Sequence, residues 1–232
     1  MIEEKNRRRL WGIGTPRTLR PHWMLAELGL SYETREIITR TDDFNEPEFQ
    51  ALSKREKIPL YEDGDLMIGE SAAIVLFLAD RYGDPDGPNP FVPAAGTDER
   101  ARHDELCFFI MTEMDSTLYL IRRHAGLPEI YGPSTTAVKA ARDYFLRATM
   151  EVVRRLEDGR HFLLGNEFQV ADLLLKTCLD WAAFIQIPLS ESLLEYSRVI
   201  GERPAYAVAM SLNFTPRALA ALGRPSSAGA PS

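Results

Sequence analysis

The chain has 232 residues, of which 45% are hydrophobic and 26% charged, and its formal net charge at pH 7 is −7. The length suits one large or two small domains, and the composition is typical of a globular protein that buries a sizeable core. A negative net charge argues against a general nucleic-acid binder, whose surface would be basic, and no apolar stretch is long enough to span a membrane.

The first 83 residues predict strands and helices in alternation. Residues 9–13 and 32–38 predict two strands. Between them a helix begins at Pro16, for which Thr15 is a suitable N-cap. Residues 44–52 predict a short helix. With the hairpin and the helix that follow, this order predicts a small mixed sheet with helices on both faces.

Residues 57–71 predict a β-hairpin that leads into a helix, and the rest of the fold is organised around them. Two short apolar runs flank Asp63-Gly64, which is a strong hairpin signal. Glu70 and Ser71 then open an apolar helix that ends near residue 82. A helix N-terminus binds anions through its unpaired N–H groups and its positive dipole end. The residues alone leave open a plain capped helix, in which Ser71 serves only the helix.

A linker rich in proline, glycine and aspartate begins after residue 83, and beyond it the pattern is entirely helical. Helices are predicted over residues 97–123, 134–157, 170–185, 190–200 and 204–212. The expected division is residues 1–83 as a mixed α/β domain, 84–96 as a linker, 97–222 as an all-helical domain and 223–232 as a disordered tail.

The cysteines and histidines indicate no chemistry of their own. Cys107 and Cys178 lie in apolar helical segments, which favours reduced core residues and a cytoplasmic location. The four histidines show no metal-ligand spacing, so no metal site is expected. The basic residues at positions 5–9 do not precede an apolar signal-peptide core.

Four stretches, in their order and spacing, resemble the cytosolic glutathione transferases of the bacterial type. They are Gly14-Thr15-Pro16 leading into residues 25–33, Lys57-Ile58-Pro59-Leu60, residues 70–82 beginning Glu70-Ser71, and residues 162–172. The resemblance covers residues 10–212. It implies an α/β thioredoxin-like N-terminal domain that binds glutathione, followed by an all-α C-terminal helical domain.

The resemblance also implies where glutathione binds. In the family, the proline that matches Pro59 is cis, and the turn exposes the backbone of Ile58 to the cysteinyl part of the ligand. Lys57 belongs to the same motif. Glu70 and Ser71 match the γ-glutamyl site, where the hydroxyl and N–H of Ser71 would hold a carboxylate at the helix N-terminus.

Thr15 matches the thiol-activating position of the family members that use serine there. A thiol with a pKa of about 8.5 is mostly protonated at neutral pH, so a group that favours the thiolate is needed. Thr18, one turn on, is the alternative donor, and Arg17 could supply positive charge. No cysteine precedes Cys107 and no tyrosine lies in the first helical turn, so the cysteine and tyrosine classes are excluded.

One departure from the family pattern concerns the helix that starts near residue 170. The family usually has Ser or Thr three residues before Asp172, and Gln169 occupies that position. Because glutamine is not a favoured N-cap, a good cap is lost and the local helix start is expected to suffer.

The resemblance implies a homodimer with a pocket for a second substrate. Candidate lining residues on the first long helix are Phe108, Met111, Met114, Asp115 and Tyr119. The expected activity is attack of the glutathione thiolate on a small hydrophobic electrophile, as in detoxification, or reduction of a peroxide. The alternative is a non-catalytic protein-binding module, as in the stringent starvation proteins. No metal, nucleic acid or membrane is expected as a partner.

Overall fold

A computed structural model describes residues 7–84 and 89–223. The expected disordered tail, apart from Gly223, and residues 85–88 of the expected linker lie outside these residues. Contacts divide the chain into two compact units. The first unit comprises the described residues of Met1–Tyr82 and Glu202–Ser232, and the second comprises those of Gly83–Gly201.

The first unit contains the four-stranded mixed sheet that the sequence predicts. Its strands are β1 (Arg8–Ile13), β2 (Glu33–Ile38), β3 (Leu60–Asp63) and β4 (Leu66–Gly69), in the spatial order β2-β1-β3-β4. β1 pairs in parallel with β2 and antiparallel with β3, which forms the hairpin with β4. The hairpin turn contains Gly64, whose φ of 59° is a conformation that suits glycine.

The helices are named in chain order, and their bounds are as follows. They are α1 (Pro16–Glu27), α2 (Pro47–Leu52), α3 (Ser71–Tyr82), α4 (Asp98–Phe109), α5 (Ser116–Ile121), α6 (Pro128–Tyr131), α7 (Thr135–Leu156), α8 (Val170–Phe184), α9 (Glu191–Gly201), α10 (Pro204–Asn213) and α11 (Pro216–Ala221). The predicted helix over residues 44–52 is a 3-10 turn, Asp42–Asn45, followed by α2. α6 and α11 were not predicted.

The segment after residue 201 packs against the first unit, whereas the sequence predicts residues 97–222 as one helical domain. The Arg203 guanidinium donates to both carboxylate oxygens of Glu27 in α1, at 2.7 and 2.8 Å. In the next turn, the Tyr206 and Trp23 rings pack edge to face, with ring centroids 4.8 Å apart. These contacts with α1 explain why α10 belongs to the first unit and not to the second.

The second unit is helical. Its described residues contain no strand of a sheet, in agreement with the helical pattern predicted beyond the linker. The segment predicted as one helix over residues 97–123 has two wide π-helical stretches, Ile110–Asp115 and Arg122–Gly126. The Thr117 hydroxyl donates to the Glu113 carbonyl at 2.6 Å, and a side-chain donor of this kind competes with the helical ladder. Both cysteines are buried, and neither forms a disulfide with another described residue.

The helix α8 forms the core of the second unit and begins at Val170, as predicted. The Asp172 carboxylate accepts hydrogen bonds from the Gln169 and Leu163 N–H groups, both at 2.9 Å, and from the Tyr196 hydroxyl at 2.6 Å. The Gln169 side chain makes no capping hydrogen bond. The Asp172 carboxylate therefore stabilises the start of this helix without a cap from the Gln169 side chain. Burial raises the pKa of Asp172 to about 6.

Among the described residues, no helix combines the length and the apolar character that crossing a membrane requires.

Candidate active site

Three predicted site segments meet at one end of the sheet because of strand pairing. β1 ends at Ile13, just before Thr15. β3 begins at Leu60, which pairs with Trp11 in β1 and with Gly69 at the end of β4. Antiparallel partners place the end of one strand beside the start of the next. The loop before α1, the Ile58-Pro59 turn and the start of α3 therefore lie at the same end.

The loop before α1 is held by a reciprocal capping arrangement. Thr15 is the N-cap, and its Oγ1 accepts a hydrogen bond from the Thr18 N–H at 3.0 Å. The Thr15 N–H donates in return to the Thr18 Oγ1, also at 3.0 Å. Thr15 is half-buried, whereas Thr18 is completely buried. Arg17 is half-buried in the first turn of α1.

The Ile58–Pro59 peptide bond is cis, which confirms the expectation from the resemblance. Ser53 holds the backbone of Lys57, the residue before Ile58. Its Oγ accepts from the Lys57 N–H and donates to the Lys57 carbonyl, both at 3.1 Å. Lys57 itself is exposed. Within the described part of the chain, the N–H and C=O of Ile58 make no hydrogen bond, so this short backbone edge is available to a ligand.

Gly12 permits the close approach of Ile58 to the end of β1. A Cβ at Gly12 would lie 2.6 Å from the Ile58 Cβ, which is closer than two side-chain carbons can pack. The φ of Gly12 is 111°, a conformation that also favours glycine. Gly12 thus sets how closely the Ile58 turn approaches β1.

Glu70 and Ser71 form the start of α3, as predicted. Glu70 has a φ of 65°, which is uncommon for a residue with a side chain, and its carboxylate is 74% exposed and 3.6 Å from the Arg55 guanidinium. Among the described residues, nothing accepts a hydrogen bond from the N–H groups of Ser71, Ala72 and Ala73. These donors and the helix dipole favour a bound anion.

A buried arginine supports this helix start and was not identified from the sequence. Arg20 in α1 is completely buried, and its Nη1 donates to the Ser71 Oγ at 3.1 Å. A guanidinium at this distance brings positive charge to the Ser71 hydroxyl, which the resemblance implies as a partner of the ligand carboxylate. The only sequence signal was a charged residue among the apolar residues of α1, which does not indicate its partner.

His22 lies beneath the loop in the neutral form. It is completely buried, its Nδ1 lies 2.7 Å from the Tyr32 hydroxyl, and its Nε2 lies 3.3 Å from the Gly12 carbonyl. Since a carbonyl only accepts, Nε2 carries the proton and Nδ1 accepts from Tyr32. Burial lowers the pKa of His22 to about 4, against the opposing effect of the Gly12 carbonyl.

The five candidate pocket residues belong to the second unit, and they differ in exposure. Phe108 is 65% exposed, Met111 and Tyr119 are half-buried, and Met114 and Asp115 are buried. Met114 and Asp115 are buried as core residues are, so these two are poor candidates for the wall of an open pocket. Within the described residues, no group of three or more His, Cys, Asp or Glu side chains is arranged to hold a metal ion.

Residues 7–80, about a third of the chain, match the family model described as "Glutathione S-transferase, N-terminal domain". The chain is 23% identical over 181 residues to glutathione S-transferase D6 of Drosophila melanogaster, covering 77% of this chain and 78% of that protein. Residues 7–80 are therefore similar to the N-terminal domain of glutathione S-transferases.

Many solved structures share the fold. A glutathione transferase from Methylococcus capsulatus is 28% identical, with a TM-score of 0.77, and the match covers 89% of this chain and 98% of that one. The glutathione transferase URE2P6 from Phanerochaete chrysosporium, solved with oxidized glutathione, is 22% identical with a TM-score of 0.77, covering 91% and 98%. The chain thus has a thioredoxin-like domain and a helical domain in the glutathione transferase fold.

Proposed function

We propose that this protein is a cytosolic glutathione transferase that binds glutathione in the first unit and activates its thiol through Thr15. One observation carries the proposal. An unpaired backbone edge at Ile58, a helix N-terminus with unpaired donors at Ser71 and a half-buried hydroxyl at Thr15 lie at the same end of one sheet. A tripeptide thiol with a free carboxylate offers a matching group to each.

The peptide part of glutathione fits the Ile58 turn. Its cysteinyl N–H and C=O would pair with the Ile58 C=O and N–H, as one strand pairs with another. The exposed side chain of Lys57 lies beside this edge, and Ser53 holds the Lys57 backbone. Such pairing fixes the direction of the ligand and therefore the place of its sulfur.

The γ-glutamyl end fits the start of α3. Its carboxylate would accept from the Ser71 N–H and hydroxyl, and the buried Arg20 guanidinium behind the hydroxyl favours the negative charge. The exposed Glu70 carboxylate would receive the γ-glutamyl ammonium group. The two charges of the ligand thus meet opposite charges or donors on adjacent residues.

The chemistry follows from the state of the thiol. The glutathione thiol loses its proton to solvent, and a hydrogen bond donated by Thr15 together with the N-terminus of α1 stabilises the sulfur anion. The thiolate then forms the S–C bond to a hydrophobic electrophile, and the leaving group departs with its electron pair. Reduction of a peroxide by the same thiolate is the other reaction that this site supports.

Retention on immobilised glutathione and a conjugation assay test the proposal. We expect the protein to be retained, to elute with free glutathione and to conjugate a chlorinated aromatic electrophile. Retention without a lowered thiol pKa or any turnover would favour the alternative, a non-catalytic protein-binding module. Absence of retention and of calorimetric binding would overturn the proposal.

Ser71→Ala should weaken glutathione binding by about 1–3 kcal/mol, because a hydrogen bond to a charged group is lost. The matched control is Ser71→Thr, which keeps a hydroxyl for the ligand and for Arg20. Isothermal titration calorimetry measures both variants. An unchanged affinity in Ser71→Ala would place the carboxylate elsewhere or assign its binding to the backbone N–H alone.

The protein should form a homodimer with two-fold symmetry, as the resemblance implies. Strand β4 lies at the edge of the sheet order and carries Leu66, which is 39% exposed. An exposed apolar edge of this kind is usually covered. Light scattering at micromolar concentration should give twice the 26.2 kDa of one chain. A monomer mass would contradict the prediction.

A further inference from the structure

The side chain of Asn213, at the end of α10, connects the C-terminal segment to the loop before α1. It is completely buried. Its Oδ1 lies 3.2 Å from the Gly14 N and 2.6 Å from the Thr18 Oγ1, and its Nδ2 lies 3.0 Å from the Thr15 carbonyl. A backbone N–H only donates and a carbonyl only accepts, so these contacts fix the orientation of the amide.

We propose that Asn213 is a positioning residue of the thiol site. It holds the backbone of Thr15 so that the Thr15 hydroxyl points to the thiolate, and it keeps the Thr18 hydroxyl from taking that role. The inference rests on the proposed function and deepens it, because it identifies which hydroxyl donates and what orients it.

The first step concerns the backbone of Thr15. One amide binds the Gly14 N–H, which precedes Thr15, and the Thr15 carbonyl, which follows its Cα. The Asn213 backbone carbonyl accepts a further bond from the Gly14 N–H at 2.8 Å. Both sides of the Thr15 Cα are therefore tied to one residue, and this fixes the direction of its Cβ and hydroxyl.

The second step concerns the protons of the two hydroxyls. Thr18 has one hydroxyl proton, and since the Oδ1 of Asn213 can only accept, that proton faces Asn213 at 2.6 Å or the Thr15 carbonyl at 2.9 Å. The Thr15 Oγ1 already accepts from the Thr18 N–H, and its own proton has the Thr18 Oγ1 at 3.0 Å as a neighbour. That proton can turn to a bound sulfur, whereas the Thr18 proton is held in the interior.

The third step concerns the contacts that hold the segment carrying Asn213. The segment that carries Asn213 is anchored on both sides, by Arg203 on Glu27 in α1 and by Arg217, whose Nη2 donates to the Asp43 carboxylate at 2.5 Å. Ala218 lies against Gly14, where an added Cβ would come within 3.2 Å of the Ala218 Cβ. Asn213 thus presents its amide to the loop from a fixed base.

Asn213→Ala should raise the pKa of the bound glutathione thiol by about one, which is about tenfold less thiolate at a pH below that pKa. Glutathione affinity, measured by calorimetry at a pH where the thiol is protonated, should change less than about twofold, since Ser71 and Ile58 hold the ligand. The thiol pKa is read from thiolate ultraviolet absorbance in the complex. Ser211→Ala, two residues earlier in α10, is the matched control and should leave the thiol pKa unmoved, because the exposed Ser211 hydroxyl donates to the Val208 carbonyl within the same helix.

A double-mutant cycle separates positioning from a merely structural role. If Asn213 acts through Thr15, Asn213→Ala should shift the thiol pKa much less in a Thr15→Val background than in the natural chain. Should Asn213→Ala not fold, Asn213→Asp serves, since its ionised carboxylate keeps both acceptor contacts but cannot donate to the Thr15 carbonyl. The thiol pKa should also rise in this variant, and it should rise less in the Thr15→Val background, whereas the added negative charge alone would raise it equally in both backgrounds.

The outcomes distinguish the inference from the function on which it rests. A natural protein that binds no glutathione, or that leaves the thiol pKa at its free value, overturns both. A natural protein that lowers the thiol pKa, with Asn213 variants that leave it unmoved, overturns the inference alone. Equal shifts in the Asn213 and Ser211 variants, or additive shifts in the cycle, also overturn it.

Discussion

Thr15→Val is expected to raise the pKa of the glutathione thiol in the complex by about one to two, because one hydrogen bond to an anion is worth about 1.5–3 kcal/mol. Valine has nearly the shape of threonine but no hydroxyl. The thiolate absorbance of the complex should therefore titrate at a higher pH, and the rate of conjugation at neutral pH should fall about ten- to a hundredfold.

Thr15→Ser is the matched control for this variant. Thr15 also accepts a hydrogen bond from the Thr18 N–H as the N-cap of α1, so valine should lower stability by about 1 kcal/mol as well. Serine can both donate to the thiolate and cap α1, so Thr15→Ser should keep the thiol pKa and the stability of the natural protein. An unmoved titration in Thr15→Val, together with a shift in Thr18→Val or Arg17→Ala, would assign the role to that neighbour. If none of the three moves it, backbone N–H groups or the helix dipole stabilise the sulfur.

The parts of the site that could be predicted from the sequence are specified locally. The Asp63-Gly64 turn forms a hairpin because glycine adopts the required positive φ, and the end of that hairpin delivers Glu70 and Ser71 to the start of α3. The cis bond before Pro59 followed from the resemblance. These features depend on neighbours within a few residues, and the resemblance to the family implied that they bind glutathione together.

The parts that could not be predicted depend on contacts between distant residues. Asn213 meets Gly14 across 199 positions, and nothing in the short apolar stretch around Asn213 names a partner. Arg20 meets Ser71 across 51 positions, and its burial depends on the packing of α1 and α3. The grouping of residues 202–222 with the first unit has the same origin, since helical periodicity shows that a face is buried but not against what.

The neutral state of His22 makes the first unit sensitive to acid. Its pKa is lowered from the ordinary 6.5 to about 4 in the folded state, chiefly by burial. A base with a lowered folded pKa takes up its proton more readily when the chain unfolds. The stability it contributes is therefore complete above pH 6.5 and is lost as the pH falls towards 4. The full difference corresponds to about 3 kcal/mol.

His22→Gln should remove this dependence, because glutamine does not titrate and its amide can still donate to the Gly12 carbonyl. The free energy of unfolding would be measured with urea at several pH values between 6.5 and 4, by tryptophan fluorescence, to which the buried Trp11 and Trp23 of this unit and Trp181 of the second unit contribute. Carboxylates such as Asp43 titrate in both proteins, so they cancel when the two curves are subtracted. The free energy of unfolding of the natural protein, minus that of His22→Gln, should fall by about 3 kcal/mol as the pH is lowered over this range. The slope should be about 1.4 kcal/mol per pH unit at most. A difference that is constant with pH would mean that His22 is protonated in the folded state and that its contact with the Gly12 carbonyl outweighs its burial.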